Sequence, residues 1–451
     1  MANSSVLSFP ASSHAVINGS FYRDPAYSTW STLYVNSSGN LTSSGPFEYP
    51  DPSTPFIAVV PEFYDIIGEG AKLEVVGLAK YAAFHEAGVY IPETNQVYFT
   101  SNQLSTENTS DYRFPTYAQF NKISLSATPN GTYEWSTVFP PSSDFFMPNG
   151  GTIYNGQVLM AVQGYGLEVP SSLILVDPTT NHGRTILNNF YGRVFNSIND
   201  VAVLVSNGTV EEQWVFFTDP PYGYFQGFKP YPSLPAQVYA FHPPSGTIRV
   251  VADGFERPNG VQFSEDFKTC YVSDTGFISA MSGDPHPDDG SRPGTIYAFD
   301  VVTPPKGSDP RLHPPTLVNR RVFAFTDSGM PDGIKVDTEG NVYAGCFDGV
   351  HVWNKYGALL GKILLGLEEI TQTSDGLNGK GCANLVFVPG GLLMFSEDRL
   401  YLAKIKAKGG FVAIVGLASP KHKGYWTKRV ALGSDQAWFE DVTIHFYKTG
   451  M

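Results

Sequence analysis

The chain has 451 residues, 42% hydrophobic, 14% aromatic and only 16% charged, against about 25% charged in ordinary soluble domains; so core-rich a composition excludes a disordered chain. Its 29 Lys and Arg against 42 Asp and Glu give a net charge of −13 with no basic run, so no nucleic-acid partner is expected. No apolar run reaches the ~18 residues of a membrane span, the longest being 411–418, and no membrane partner is expected either.

The first stretch, 1–54, is rich in Ser, Asn, Pro and Tyr. Its Tyr27, Trp30 and Tyr34 argue against a free linker, so it is read as an N-terminal arm packed on the body of the protein. Residues 2–5 (ANSS) show no basic or apolar leader pattern. Any secretory signal has therefore been removed or never existed, and seven Asn-X-Ser/Thr sequons, at Asn3, Asn18, Asn36, Asn40, Asn108, Asn130 and Asn207, lean toward a secreted glycoprotein. Three cysteines, Cys270, Cys346 and Cys382, allow at most one intramolecular disulfide.

From residue 55 onward helical periodicity is nearly absent, and short β-branched or aromatic runs alternate with Pro, Gly, Asn and Asp. One unit recurs six times: a polar residue, an alternating apolar strand, a tight turn, and a second strand ending in small polar residues. The units start at Glu86, Asn149, Asn199, Asn259, Asp332 and Asn384, at spacings of 63, 50, 60, 73 and 52 residues. Third and fourth strands follow in most units, which is the signature of propeller blades. The expectation is an all-β protein, a single six-bladed β-propeller over 55–451 with an N-terminal extension over 1–54. An outer strand near 57–60, or one at 73–76, is expected to close the ring with the C-terminal strands.

Residues heading the blades converge on the propeller axis. All six are oxygen donors, and none is Lys or Arg. Asn or Asp before Gly is also an ordinary turn former, which accounts individually for Asn149, Asn259 and Asp332 but not for Glu86. Two carboxylates with several carboxamides suit a hard cation, Ca2+ first, and the lack of His and Cys makes other divalent cations a poorer match. His85, next to Glu86, is read either as a general base at the channel mouth or as a structural histidine. Asp200 is expected to orient a ligand from behind Asn199. Tyr222, Tyr224 and Phe228, in 222–228 (YGYFQGF), are expected to wall an apolar pocket or to pack on an outer strand. Serine-hydrolase, zinc-protease and nucleotide-binding motifs are absent.

In 84–87 (FHEA), 148–152 (PNGGT), 187–192 (LNNFYG), 195–200 (FNSIND), 258–260 (PNG), 331–333 (PDG) and 343–354 (YAGCFDGVHVWN) the chain resembles the SMP-30/gluconolactonase family, and within it the secreted fungal lactonohydrolases. The resemblance implies a six-bladed propeller with one divalent metal, often Ca2+, in its channel. It places metal ligands on Glu86, Asn259 and Asp332, with Asn199 a ligand or close neighbour. It further implies hydrolysis of a lactone ester bond, with Asp332 or His85 accepting a proton and Asn149 and Asn199 positioning the substrate or its oxyanion. The aromatic segment suits an apolar or aromatic lactone, or a polyketide or terpenoid. Two other readings stand beside hydrolysis: dehydration or hetero-Diels-Alder cyclisation, as in fungal biosynthetic propellers that look like this family, and non-catalytic ligand binding. The loop 368–380 and the long tail depart from the family pattern and leave the substrate open.

Overall fold

Strands such as Gln213–Asp219 and Gly349–Trp353 are buried along their whole length, so each sheet needs cover on both faces. Stacking sheets around an axis supplies it. The computed structural model describes residues 5–8, 53–106, 113–205, 212–279, 281, 284, 286, 288–367 and 381–410. All of these lie in one compact unit, Met1–Ile414.

Six sheets, antiparallel apart from one added parallel strand, follow one another as blades. Their innermost strands are Glu86–Ile91, Pro148–Tyr154, Val201–Val205, Pro258–Phe263, Ile334–Val336 and Asn384–Val388. Each packs against the innermost strand of the next blade, and the last returns to the first. This is a closed six-bladed β-propeller.

The core is divided among the blade interfaces, because alternate residues of every strand face opposite neighbours. Phe99 and Phe395 meet between blades six and one, Val89 and Met160 between one and two, and Phe217 and Leu173 between two and three. Phe216 and Phe263 meet between three and four, Ile296 and Ile334 between four and five, and Tyr343 and Phe387 between five and six.

Both strands considered for ring closure are present, with different roles. Lys72–Leu78 pairs antiparallel with Arg399–Lys404 and is the outer strand of blade six, so an early segment completes the last blade. Phe56–Ala58 instead adds to the outside of blade five, where Val6–Ser8 pairs with it in parallel. Between them a short helix, Phe63–Ile67, buries Phe63, Ile66 and Ile67 in the interface of blades five and six. The rest of the arm, the loop 368–380 and the tail from 411 lie outside the described residues, as do six sequons; Asn130 stands on an exposed turn. Cys270, Cys346 and Cys382 are all free and buried. Among the described residues no helix is long and apolar enough to cross a membrane.

Candidate functional site

The head residues form a stitched ring at one end of the channel. Thr100 donates to the carbonyl of Asn149 at 3.2 Å, Thr218 to that of Asn259 at 2.7 Å, and Ser273 to that of Asp332 at 2.8 Å. The Gly150 N–H donates to the Asn199 carbonyl at 2.8 Å, and the Gly333 N–H to that of Ala383 at 2.8 Å. The Asn384 amide closes the circle on Glu86 Oε2 at 2.7 Å. Thr100, Thr218 and Ser273, small polar residues at or near the ends of their second strands, each fasten a blade to the next.

The Asn-Gly pairs are not turns, contrary to the simpler reading of their sequence. Asn149-Gly150 and Asn259-Gly260 lie in bulges where the inner-strand register slips, between Pro148 and Gly151 and between Pro258 and Val261. Such bulges re-aim side chains. Neither glycine has a positive φ. Each is there because the next blade's backbone comes close: a Cβ would lie 2.5 Å from the Asn199 oxygen at Gly150 and 2.4 Å from the Asp332 oxygen at Gly260.

Glu86, Asn149, Asn199, Asn259 and Asp332 are each at most 9% exposed. Oδ1 of Asn149, Asn199, Asn259 and Asp332 is buried with no hydrogen-bond partner among the described residues. Buried acceptors are almost always satisfied, so four orphans at equivalent positions call for a missing donor or cation. The Asn259 amide nitrogen is spoken for by the Tyr222 hydroxyl at 3.3 Å and Thr275 Oγ1 at 3.2 Å, which turns its oxygen the other way. Burial and the nearby Glu86 carboxylate hold the Asp332 carboxyl well above the usual range. No three His, Cys, Asp or Glu side chains among the described residues form a metal cluster. The donor set here is two carboxylates and three carboxamides, which is oxygen-only and suits a hard cation. Asn384 differs, since its Oδ1 already accepts from the Leu385 N–H at 2.8 Å and the Lys335 ammonium at 3.2 Å. A cation does therefore stand beside the ring, on a strand position the head-residue pattern does not include.

His85 contacts Glu397 at 2.7 Å. Burial opposes charge on its imidazole, but Glu397, aided by Glu86 and Asp332, pushes its pKa up to about 9. Asp200 accepts the Val201 N–H at 2.8 Å and the Val261 N–H of the next blade at 3.3 Å, so its carboxylate ties blades three and four together beside Asn199. Burial raises it to about 6, against the pull of Lys335.

The three aromatic residues singled out in 222–228 take different places. Tyr222 is buried, donates to Thr275 at 2.7 Å and steadies Asn259 from behind. Tyr224 packs edge-on against Phe225 and Tyr231. Phe228 is buried and stacks on Tyr165 with ring centres 6.1 Å apart. Tyr165 in turn meets Phe114 at 4.2 Å and Phe146 at 5.7 Å, and these three rings are only half-buried. Gly164 and Gln163 bond the backbone of Phe146 and Met147, just before Asn149, so this aromatic wall stands at the ring's end of blade two. Gln163, with a buried, unpartnered Oε1, belongs to the same place. The loops that follow the second strands carry most of these groups, and only their end-of-strand position could have singled them out.

A model of the SMP-30/Gluconolactonase/LRE-like region matches residues 142–380. Lactonohydrolase oryL of Aspergillus oryzae is 31% identical over 292 residues, covering 62% of this chain and 60% of that protein. A gluconolactonase of Zymomonas mobilis is 26% identical over 242 residues, covering 52% of this chain and 58% of its own. This chain thus matches about three fifths of the length of each. A gluconolactonase structure from Xanthomonas campestris aligns with a TM-score of 0.54 at 20% identity, over 78% of this chain and 95% of that one, a likeness of fold.

Proposed function

Because the chain belongs to the SMP-30/gluconolactonase/LRE-like family, we propose that it is a cation-dependent lactone hydrolase. The observation that carries the reading is the set of four orphaned buried oxygens beside Glu86. Glu86, Asn199, Asn259 and Asp332 would hold a divalent cation, Ca2+ first by its preference for oxygen ligands. When bound, the cation supplies Lewis-acid polarisation of a carbonyl.

The remaining work belongs to the chain's own groups. Asn149 places its carboxamide at the ring to position the lactone and the oxyanion that develops on its carbonyl. His85, about one fifth exposed and next to Glu86, accepts in its neutral form the proton of the attacking water and returns it to the departing alkoxide. Asp332, the other carboxylate of the ring, is the second candidate for that transfer. Tyr222 and Asp200 act from behind, fixing Asn259 and the seam next to Asn199. The half-buried wall of Phe114, Phe146 and Tyr165 supports a lactone with an apolar or aromatic portion, and the names of the relatives support lactone hydrolysis itself.

The test is proton release on a panel running from small aldonolactones to bulky aromatic lactones. Hydrolysis is expected in the wild type, strongest on aromatic members, and lost in Glu86→Gln and Asp332→Asn. Hydrolysis that survives both substitutions would sink the reading. Tight ligand binding without turnover would favour a binding propeller.

A further inference from the structure

Among the side-chain contacts across the seam between the last blade and the first is one made by His85. Nδ1 of His85 lies 2.7 Å from Oε1 of Glu397. The other Glu397 oxygen accepts from Asn102 Nδ2 at 3.1 Å, while Asn102 Oδ1 accepts the Gln103 N–H at 2.7 Å. The main chains are locked on both sides: Phe84 N–H donates to the Glu397 carbonyl at 2.8 Å, and His85 N–H to that of Thr100 at 2.9 Å. Nε2 of His85 has no hydrogen-bond partner among the described residues, and the two side chains stay 21% and 23% exposed.

The backbone adds an independent observation. Glu397 is the first residue of the two-residue turn that joins Ser396 to Arg399, and its φ is +58°. A positive φ at that position ordinarily recruits glycine. A glutamate kept in glycine's place is the sort of outlier that points to use of its side chain.

We propose that Glu397, steadied by Asn102, is a positioning residue: it holds the Nδ1 proton of His85, so that Nε2 is the atom through which the imidazole exchanges protons with the site. The proposal rests on the reading of His85 as proton acceptor and adds to it the residue that sets its tautomer. As the water oxygen bonds to the lactone carbonyl carbon, one water proton passes to Nε2. Nδ1 keeps its own, and Glu397 balances the imidazolium. The Nε2 proton then moves to the ring oxygen as the carbon–oxygen ester bond breaks, leaving a hydroxy acid.

The experiment uses the full chain with 15N-labelled histidine, its His85 signals assigned by difference from His85→Gln and its tautomer read from the two ring nitrogens of the neutral imidazole. Nδ1-protonated His85 is expected in the wild type. In Glu397→Gln, Asn102 claims the new carbonyl oxygen and leaves the NH2 group facing Nδ1, so the tautomer inverts. On a lactone substrate kcat falls by about 10³ to 10⁴-fold with KM nearly unchanged, the scale of loss known for a misset catalytic histidine. Adding Asn102→Ala frees the glutamine to turn its oxygen to His85. The double variant then regains the wild-type tautomer and much of kcat, whereas a merely structural contact gives losses that add. An Nε2-protonated His85 in the neutral wild type, or Glu397→Gln with unchanged tautomer and kcat, overturns the proposal. If Glu397→Gln does not fold, the wild-type spectrum decides alone. A wild type that hydrolyses no lactone defeats the functional reading while the tautomer experiment still judges this one.

Discussion

At the scale of single residues, the orphaned oxygens mark the Asn and Asp at the head positions as more than turn formers, and they yield separable predictions. Tyr222→Phe removes one of the two groups that hold the Asn259 amide. Cation affinity measured by calorimetry is expected to drop about 10-fold to 100-fold with folding intact, the usual cost of losing a partner behind a ligand. A pH prediction comes from groups whose proton affinity rises on folding. Burial lifts Asp219 from 3.8 to about 7, although Asn196 and Ser197 donate to its carboxylate. The folded state therefore binds that proton more tightly than the unfolded one, and the associated stability is complete below about pH 4 and lost as pH rises to about 7. Asp200, raised to about 6, acts in the same direction. The melting temperature of the cation-free protein is expected to fall across that window, with a shallower slope in Asp219→Asn; an unchanged slope in the variant contradicts the assignment. Glu86, Asn149, Asn199, Asn259 and Asp332 could be named from the sequence because they recur at one repeat position. Glu397 and Lys335 could not, since the first acts from a turn 312 residues away from its partner and the second from within a strand.

At the scale of the strand and its turn, function depends on how closely the blades approach. Gly260 sits in a bulge under the carbonyl of Asp332, with 2.4 Å available for a Cβ. Gly260→Ala is expected to destabilise the protein by about 1 to 3 kcal/mol, as overpacking does, and to weaken cation binding with it. Thr218→Val leaves the buried Asn259 carbonyl without its 2.7 Å donor, and denaturant titration is expected to show a loss of about 1 to 3 kcal/mol. The strand pattern was legible because β-branched and aromatic runs alternate with turn residues. The bulges were not, because Asn-Gly reads as a turn until the neighbouring blade is in view. The aromatic segment 222–228 is compatible by composition with a pocket wall or with packing, and only the contacts separate its members: Tyr222 turns inward to bond Thr275, while Phe114, Phe146 and Tyr165, scattered over two blades, stand half-buried at the ring's end.

At the scale of the whole molecule, six interface cores and one closing strand make the ring. The repeat count and the fold followed from period alone, whereas the choice of closing strand did not, since 57–60 and 73–76 are both short and β-branched. Pairing of Lys72–Leu78 with Arg399–Lys404 means that the N-terminal part of the chain completes the last blade, the one that supplies Asn384 to Glu86 and Glu397 to His85. Deleting residues 1–78 removes that strand together with Phe63, Ile66 and Ile67, and is expected to abolish cooperative melting followed by circular dichroism. The ring end of the channel is the place where all six blades are stitched together, and it is where the proposed chemistry sits. The most direct test is lactone hydrolysis by the cation-stripped protein before and after back-titration with Ca2+. Activity absent after stripping and restored as one equivalent of Ca2+ per chain is added is the predicted result. Full activity in protein shown to hold no cation, or no activity after one equivalent has bound, would contradict the account.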